Sequence, residues 1–172
     1  MSLPARAQRE DKRREWALWI LVAAETSDIS ATEAAERVAA SFVGDRPPIT
    51  ASDRTEFFAV ERFEDHLPTP DEWALLGPGV LETITTIQLN RAAIDETIRE
   101  ASPRWRVERM PIIDRSLLRI GVAELRFRSQ PRPRATLNGL IELAKRYGES
   151  SSPRFVNGIL DQIRKNLDIP FT

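Results

Sequence analysis

Cysteine is absent from this 172-residue chain, and histidine occurs once, at His66. These two shortages exclude much chemistry. No disulfide framework or thiolate metal site can form, and one imidazole in a Pro-rich stretch makes a poor start for a catalytic relay or a histidine metal site. Long apolar runs are missing as well. None approaches the roughly 18 residues that a membrane-spanning helix needs, and the charged N-terminus is unlike a secretory leader. The expectation is a soluble, cytoplasmic protein with no membrane attachment, metal or cofactor. Paired carboxylates such as Glu64-Asp65 and Asp95-Glu96 are adjacent, so a helix points them about 100° apart, a poor geometry for shared acid–base work. With no nucleophile elbow or metal-ligand spacing either, a non-enzyme is expected.

What is present is charge, unevenly spread. Residues 1–19 carry five basic and three acidic side chains, residues 20–102 six and sixteen, and residues 103–172 fourteen and seven. Such asymmetry either builds a basic face for an anionic partner or lets the two regions pair within the fold. The length suits a single domain, residues 1–172, with a core of its own.

The stretch from Pro111 to Phe127 organises the rest. At about 100° per residue, Ile113, Leu117, Ile120 and Phe127 share one side of a helix, and Leu118, Val122 and Leu125 share another. A helix apolar around most of its girth must be wrapped by others. The remaining sector gathers Arg115, Arg119 and Arg126, which need partners. Asp114, Arg115, Arg119 and Glu124 read as internal ion pairs, and Glu124 needs a cation if it is buried.

Around that helix the periodicity predicts more helices. Residues 3–25 form one, with Trp16, Ile20, Leu21 and Ala24 facing the core and Arg6, Arg9 and Arg13 on another face, either a phosphate-contacting ridge or an ordinary solvated one. A second starts at a Ser30 or Thr32 cap and runs to about Phe42. A long Pro-containing insertion spans 43–70, with a candidate helix over 52–63 in which Phe57, Phe58, Val60 and Phe63 pack. Another helical segment passes through Trp73, Leu75 and Leu76 to Gly77-Pro78-Gly79, read as a turn or kink, after which Val80–Ala101 forms one helix. Trp105 and Met110 then plug the gap before the central helix. Thr136 caps a helix that ends at Gly148, and Ser152 with Pro153 opens the last. No strand period persists, so the fold class is all-α.

Four motifs then stand in order: Trp105 with Arg109; Asp114-Arg115-Ser116-Leu117-Leu118-Arg119-Ile120 with Glu124-Leu125; Leu137-Asn138 with Ile141-Glu142-Leu143-Ala144-Lys145-Arg146-Tyr147-Gly148; and Phe155-Val156-Asn157-Gly158-Ile159-Leu160-Asp161. With Ile94-Asp95 and Ile98 upstream, the chain resembles the NusB family of transcription antitermination factors, best over 79–164. The resemblance implies a compact bundle of about seven helices in two layered subdomains. It also implies binding of boxA-type single-stranded RNA together with NusE, the small-subunit ribosomal protein, and loading onto transcribing RNA polymerase so that it resists termination in ribosomal RNA operons.

The family's first helix opens with Arg-Arg-x-Ala-Arg; here Glu10-Asp11-Lys12-Arg13-Arg14 stands in that place. Trp19 replaces the usual glutamine, and Gly139 the glutamate after Asn138. On this footing the RNA-contacting candidates are Arg6, Arg9, Lys12, Arg13 and Arg14 on the first helix, with Arg128, Arg132 and Arg134 beyond the central one. Trp19, Phe57 and Phe58 are candidates for a partner surface, Trp19 being readable also as core or as a stacking platform. Leu118, Phe155, Asn138 and Asn157 join the ion-pairing residues as structural, with a base or partner contact the other reading of the two asparagines. The alternative function is a paralogue that keeps the bundle as a protein-interaction module or homodimer with little RNA affinity. A further resemblance is to the RNA-binding domain at the N-terminus of some ribosomal RNA methyltransferases, of which this chain would be the binding half.

Overall fold

The computed structural model describes residues 5–40 and 68–171, and among them are seven α-helices and no strand. They are α1 (Ala5–Thr26), α2 (Ala31–Ala40), α3 (Pro70–Leu89), α4 (Arg91–Ala101), α5 (Ile112–Arg126), α6 (Pro133–Tyr147) and α7 (Ser152–Asn166), with a 3-10 turn at Val107–Arg109 between α4 and α5. Helices α1, α2 and α3 pack on one another, α4 to α7 form a second group, and α5 reaches α1 and α3 to join the two. The candidate helix at 52–63, with Phe57 and Phe58, lies outside the described residues.

Helix α5 is the axis. Every residue from Ser116 to Leu125 is buried, as is Asp114. That is the outcome its all-round apolar pattern demands, because such a helix loses free energy on any side left in water. Close approach is enforced at Gly121, where an added Cβ would stand 2.4 Å from Leu160 Cδ2 and 3.1 Å from Leu140 Cδ1. Helices α6 and α7 therefore sit directly on the α5 backbone.

Local chemistry sets most boundaries. The Ser30 hydroxyl accepts from the Glu33 amide at 3.0 Å at the start of α2. Thr69 and Glu72 form a reciprocal capping box at α3, with Pro70 in the first turn, where its missing N–H costs nothing.

Three boundaries depart from expectation. Helix α3 runs unbroken through Gly77-Pro78-Gly79, although Pro78 leaves a carbonyl one turn back without its donor. The glycines there make room rather than a turn. A Cβ at Gly77 would lie 2.8 Å from the Trp73 ring, and one at Gly79 would lie 2.7 Å from Arg13 Nε. The break falls at Asn90 instead, where the backbone N–H and the side-chain amide both donate to the Thr86 carbonyl. At the other end of the chain, α6 starts at Pro133 and not at a Thr136 cap, since the Thr136 hydroxyl is committed to Glu124 at 2.6 Å. Ser152 likewise is the first helical residue rather than the cap, and its hydroxyl accepts from the Glu149 amide.

Candidate nucleic-acid interface

Two charged clamps inside the bundle decide which arginines remain for a ligand. In the first, Arg14 of α1 is 3% exposed and Glu124 of α5 is 2% exposed. Arg14 Nε donates to Glu124 Oε1 at 2.9 Å, Nη2 to Oε2 at 2.8 Å, and Nη1 to Asp11 Oδ1 at 2.8 Å. Burial works against the charge on Arg14, but Glu124 outweighs it and holds the guanidinium above its ordinary range. Burial also pushes the Asp11 carboxyl up, with Arg14 offsetting only part of that rise. The Asp11 carboxylate and the Arg14 guanidinium fill the space over Gly139, where a Cβ would lie 2.5 Å from Asp11 Oδ1 and 2.7 Å from Arg14 Nη1. Glycine at 139 thus makes room for the pair.

Arg14 was an expected RNA contact; its donors are spent inside the fold, because a carboxylate on the buried face of α5 requires a cation.

The second clamp lies where α1 ends. Glu25 accepts from Arg115 Nε at 2.9 Å and from Arg119 Nη1 at 2.7 Å, and Arg119 Nε donates to Asp95 Oδ1 at 2.8 Å. Burial would raise both carboxyls, yet Arg115 and Arg119 hold Glu25 low and Arg119 with Arg91 holds Asp95 low. Arg126 donates to the Thr97 hydroxyl. The structural reading of Arg115, Arg119 and Glu124 fits these contacts, and Leu118 is fully buried beside them. Asp114 departs from it: no cation pairs with it among the described residues, and burial pushes its carboxyl up against a hydrogen bond from Ser152.

The outer face of α1 is different. Arg6 and Arg9 are exposed, Lys12 pairs with Glu72, and Arg13 is half-buried over Gly79. Glu10 stands between Arg13 Nη1 at 3.5 Å and Arg128 Nη1 at 3.1 Å. It therefore joins the α1 ridge to the loop that follows α5. Burial would raise its carboxyl, but Arg128 prevails and holds it low. Arg132 is exposed, and the Arg134 guanidinium lies 5.4 Å from the Phe171 ring centre. Among the described residues no carboxylate pairs with Arg6, Arg9, Arg132 or Arg134.

Other expectations move. Trp19 is 2% exposed, so it is core rather than partner surface: α1 is enclosed all round from Arg14 to Ala24 by α2, α3, α5 and α6. Asn138 and Asn157 are exposed, not buried amides, since α6 and α7 turn those positions away from α5. Phe155 is half-buried against the core. Trp105, expected as a plug, is 59% exposed with its ring edge-on to Phe155; Met110 and Val107 fill the gap. One cluster went unread: buried Glu15 accepts from Arg146 Nη1 at 2.6 Å and from the Tyr147 hydroxyl. Burial and Glu15 together push that phenol up to about 12. A glutamate opening an otherwise apolar run was the signal for it.

The fold and this face define an all-helical scaffold in which, among the described residues, the buried charges other than Asp114 are paired and the first helix carries a basic outer ridge. The family model described as "NusB family" matches residues 79–165. The transcription antitermination protein NusB of Geotalea uraniireducens is 33% identical over 151 residues, covering 87% of this chain and 90% of the relative. The chain belongs to the NusB family. That of Bdellovibrio bacteriovorus is 47% identical over 83 residues, and this match spans 48% of the chain and 62% of the relative's length. Among solved structures, T. maritima NusB superposes with a TM-score of 0.67 at 24% identity, over 96% of this chain and 93% of that one. A chain from "Crystal Structure of a Plectonemic RNA Supercoil" gives 0.67 at 20% identity, over 93% and 96%. Among the described residues, no helix is long and apolar enough to cross a membrane.

Proposed function

We propose that this protein is an RNA-binding antitermination factor that takes a boxA-type single-stranded RNA together with NusE, on RNA polymerase transcribing ribosomal RNA operons. The role is assembly without catalysis, and cytoplasmic. The observation that carries it is the junction at Glu10, where the α1 ridge meets the loop after α5. Arg6 and Arg9 from the first and Arg132 from the second bring cations to which no described carboxylate is bound; Lys12 and Arg13 stand in partly exposed ion pairs, Arg128 pairs with Glu10 and also with the buried Glu124 at 3.4 Å, and Arg134 lies against the Phe171 ring. Cations of this kind supply affinity through counterion release, and sequence is read separately on unstacked bases. Family membership supports the same reading.

The test is a binding titration of boxA-like RNA with and without NusE at two salt concentrations. Salt-dependent binding, tightened by NusE, is expected; no salt-dependent binding in either condition sinks the proposal. The rival reading, a protein-interaction paralogue, loses one of its motives with the burial of Trp19, while Phe57 and Phe58 lie outside the described residues.

A further inference from the structure

Three of the four tryptophans, Trp16, Trp19 and Trp73, are buried at 3%, 2% and 7% exposure; Trp105 is 59% exposed. Leaving so large an apolar ring in water runs against the driving force that fills the rest of the core. Nor is the ring loose. The Trp105 amide donates to the Ser102 carbonyl at 2.9 Å, and the Ser102 hydroxyl donates to the Ile98 carbonyl at the end of α4. Beyond it, the 3-10 turn drives Val107 and Met110 into the core. On the other side Phe155 of α7 meets the indole edge-on, with centroids 5.6 Å apart and planes at 79°. The ring is fixed at its base and open to solvent.

Its surroundings are cationic. Arg104, Arg106 and Arg109 flank it in sequence, Arg154 precedes Phe155, and all four are exposed. None of them forms an ion pair among the described residues, whereas Glu108, the one acidic residue of the turn, is engaged by Arg99. An exposed, braced indole whose neighbours in the chain are exposed arginines outside any described ion pair has the two ingredients of single-strand recognition, a stacking surface for a base and cations for the phosphates beside it. A protein partner would be served by the ring but would need carboxylates to answer four arginines, which makes the polyanion the better fit.

We propose that Trp105 is a base-stacking platform for single-stranded RNA, forming with Arg104, Arg106, Arg109 and Arg154 a second contact site apart from the α1 ridge. It rests on the RNA-binding reading and extends it. Trp105 precedes α5 and Arg128 follows it, so about 20 Å of helix separates the two sites along the α5 axis. A short element is held by the ridge alone; a longer strand reaches the tryptophan as well.

The experiment uses the full chain and two single-stranded RNAs taken from a boxA-like element, one of about 4 and one of about 16 nucleotides, the ends of the range of single-strand site sizes. Because the other tryptophans are buried, quenching of tryptophan emission reports on Trp105. The long RNA is expected to quench emission and the short one to bind without quenching. Trp105→Ala is expected to weaken the long RNA about 5- to 150-fold, the range for one lost base stack, leave the short RNA unchanged, and abolish the quench. Trp105→Phe is expected to restore most of the affinity. Arg106→Ala in the wild-type background is expected to reduce the salt slope for the long RNA by about one. Circular dichroism melts confirm that each variant folds. Equal binding of the long RNA by wild type and a folded Trp105→Ala overturns the platform while leaving the ridge intact. Binding of neither RNA by wild type overturns the RNA reading itself. Quenching by NusE alone, with none on adding RNA, assigns the surface to a protein and overturns the proposal.

Discussion

Arg14 and Arg9 sit five residues apart on the same helix and have opposite fates. Arg14 is closed in by Glu124, Asp11 and the Thr136 hydroxyl behind them; Arg9 faces solvent with no carboxylate bound among the described residues. The difference lies in what the next helix brings, not in the side chain. Where α5 delivers a carboxylate into the core, an arginine is a structural part; where it delivers none, the same residue stays available to a polyanion. The turn around Trp105 extends the second case to the other end of α5.

The comparison can be broken most severely at Arg14. Arg14→Ala leaves Glu124 buried without its main cation, and a loss of about 3–5 kcal/mol is expected, read from chemical denaturation. A variant that stays as stable as wild type and loses only RNA binding would return Arg14 to the interface. Leu118→Ala, in the helix that carries Glu124 but purely apolar, is expected to cost about 2–5 kcal/mol with RNA affinity unchanged in the folded fraction.

A smaller effect follows from pH. Glu25 and Asp95 are held below their ordinary values of 4.5 and 3.8 by the arginines around them. Their stabilisation is therefore complete above those values and fades as pH falls through the lower folded ones. Asp114 runs the other way: its carboxyl is raised above 3.8, so its protonation on acidification recovers stability. Denaturation followed from pH 6 to pH 2 should show a falling limb that is flatter in Arg119→Ala; an unchanged limb would mean that the second clamp contributes nothing. The smallest change in stability is expected at Arg9→Ala, within about 0.5 kcal/mol of wild type, with the salt slope of RNA binding reduced by about one.

Much of the scaffold was legible because α-helical period is a local property. The buried girth of α5, the Ser30 start of α2 and the core stripe of α1 follow from residue spacing alone. The turn reading of Gly77-Pro78-Gly79 fails because turn chemistry and close packing use the same residues. Only the indole of Trp73 and the guanidinium of Arg13 lying against those glycines tell the two uses apart. The face of Arg6, Arg9 and Arg13 was legible from spacing, and resemblance to the family added Arg14 to it; Trp19 as a partner surface and the two asparagines as buried amides were readings of each residue in its apolar surroundings. In each case exposure was set by the helix packed opposite.

The sequence by itself determined that this chain is helical, that 111–127 is its axis and that arginine is its chief cation, since period and composition are written residue by residue. The tertiary structure alone decided which arginines are spent. Asp11 fills the room over Gly139, Glu124 and Thr136 close on Arg14, Glu10 bridges to Arg128, and among the described residues no carboxylate forms an ion pair with Arg104, Arg106, Arg109 or Arg154 near Trp105. The Glu10–Arg128 pair alone joins residues 118 positions apart, and a charge is quenched or left open by what lies within a few ångströms in space, which no local pattern encodes.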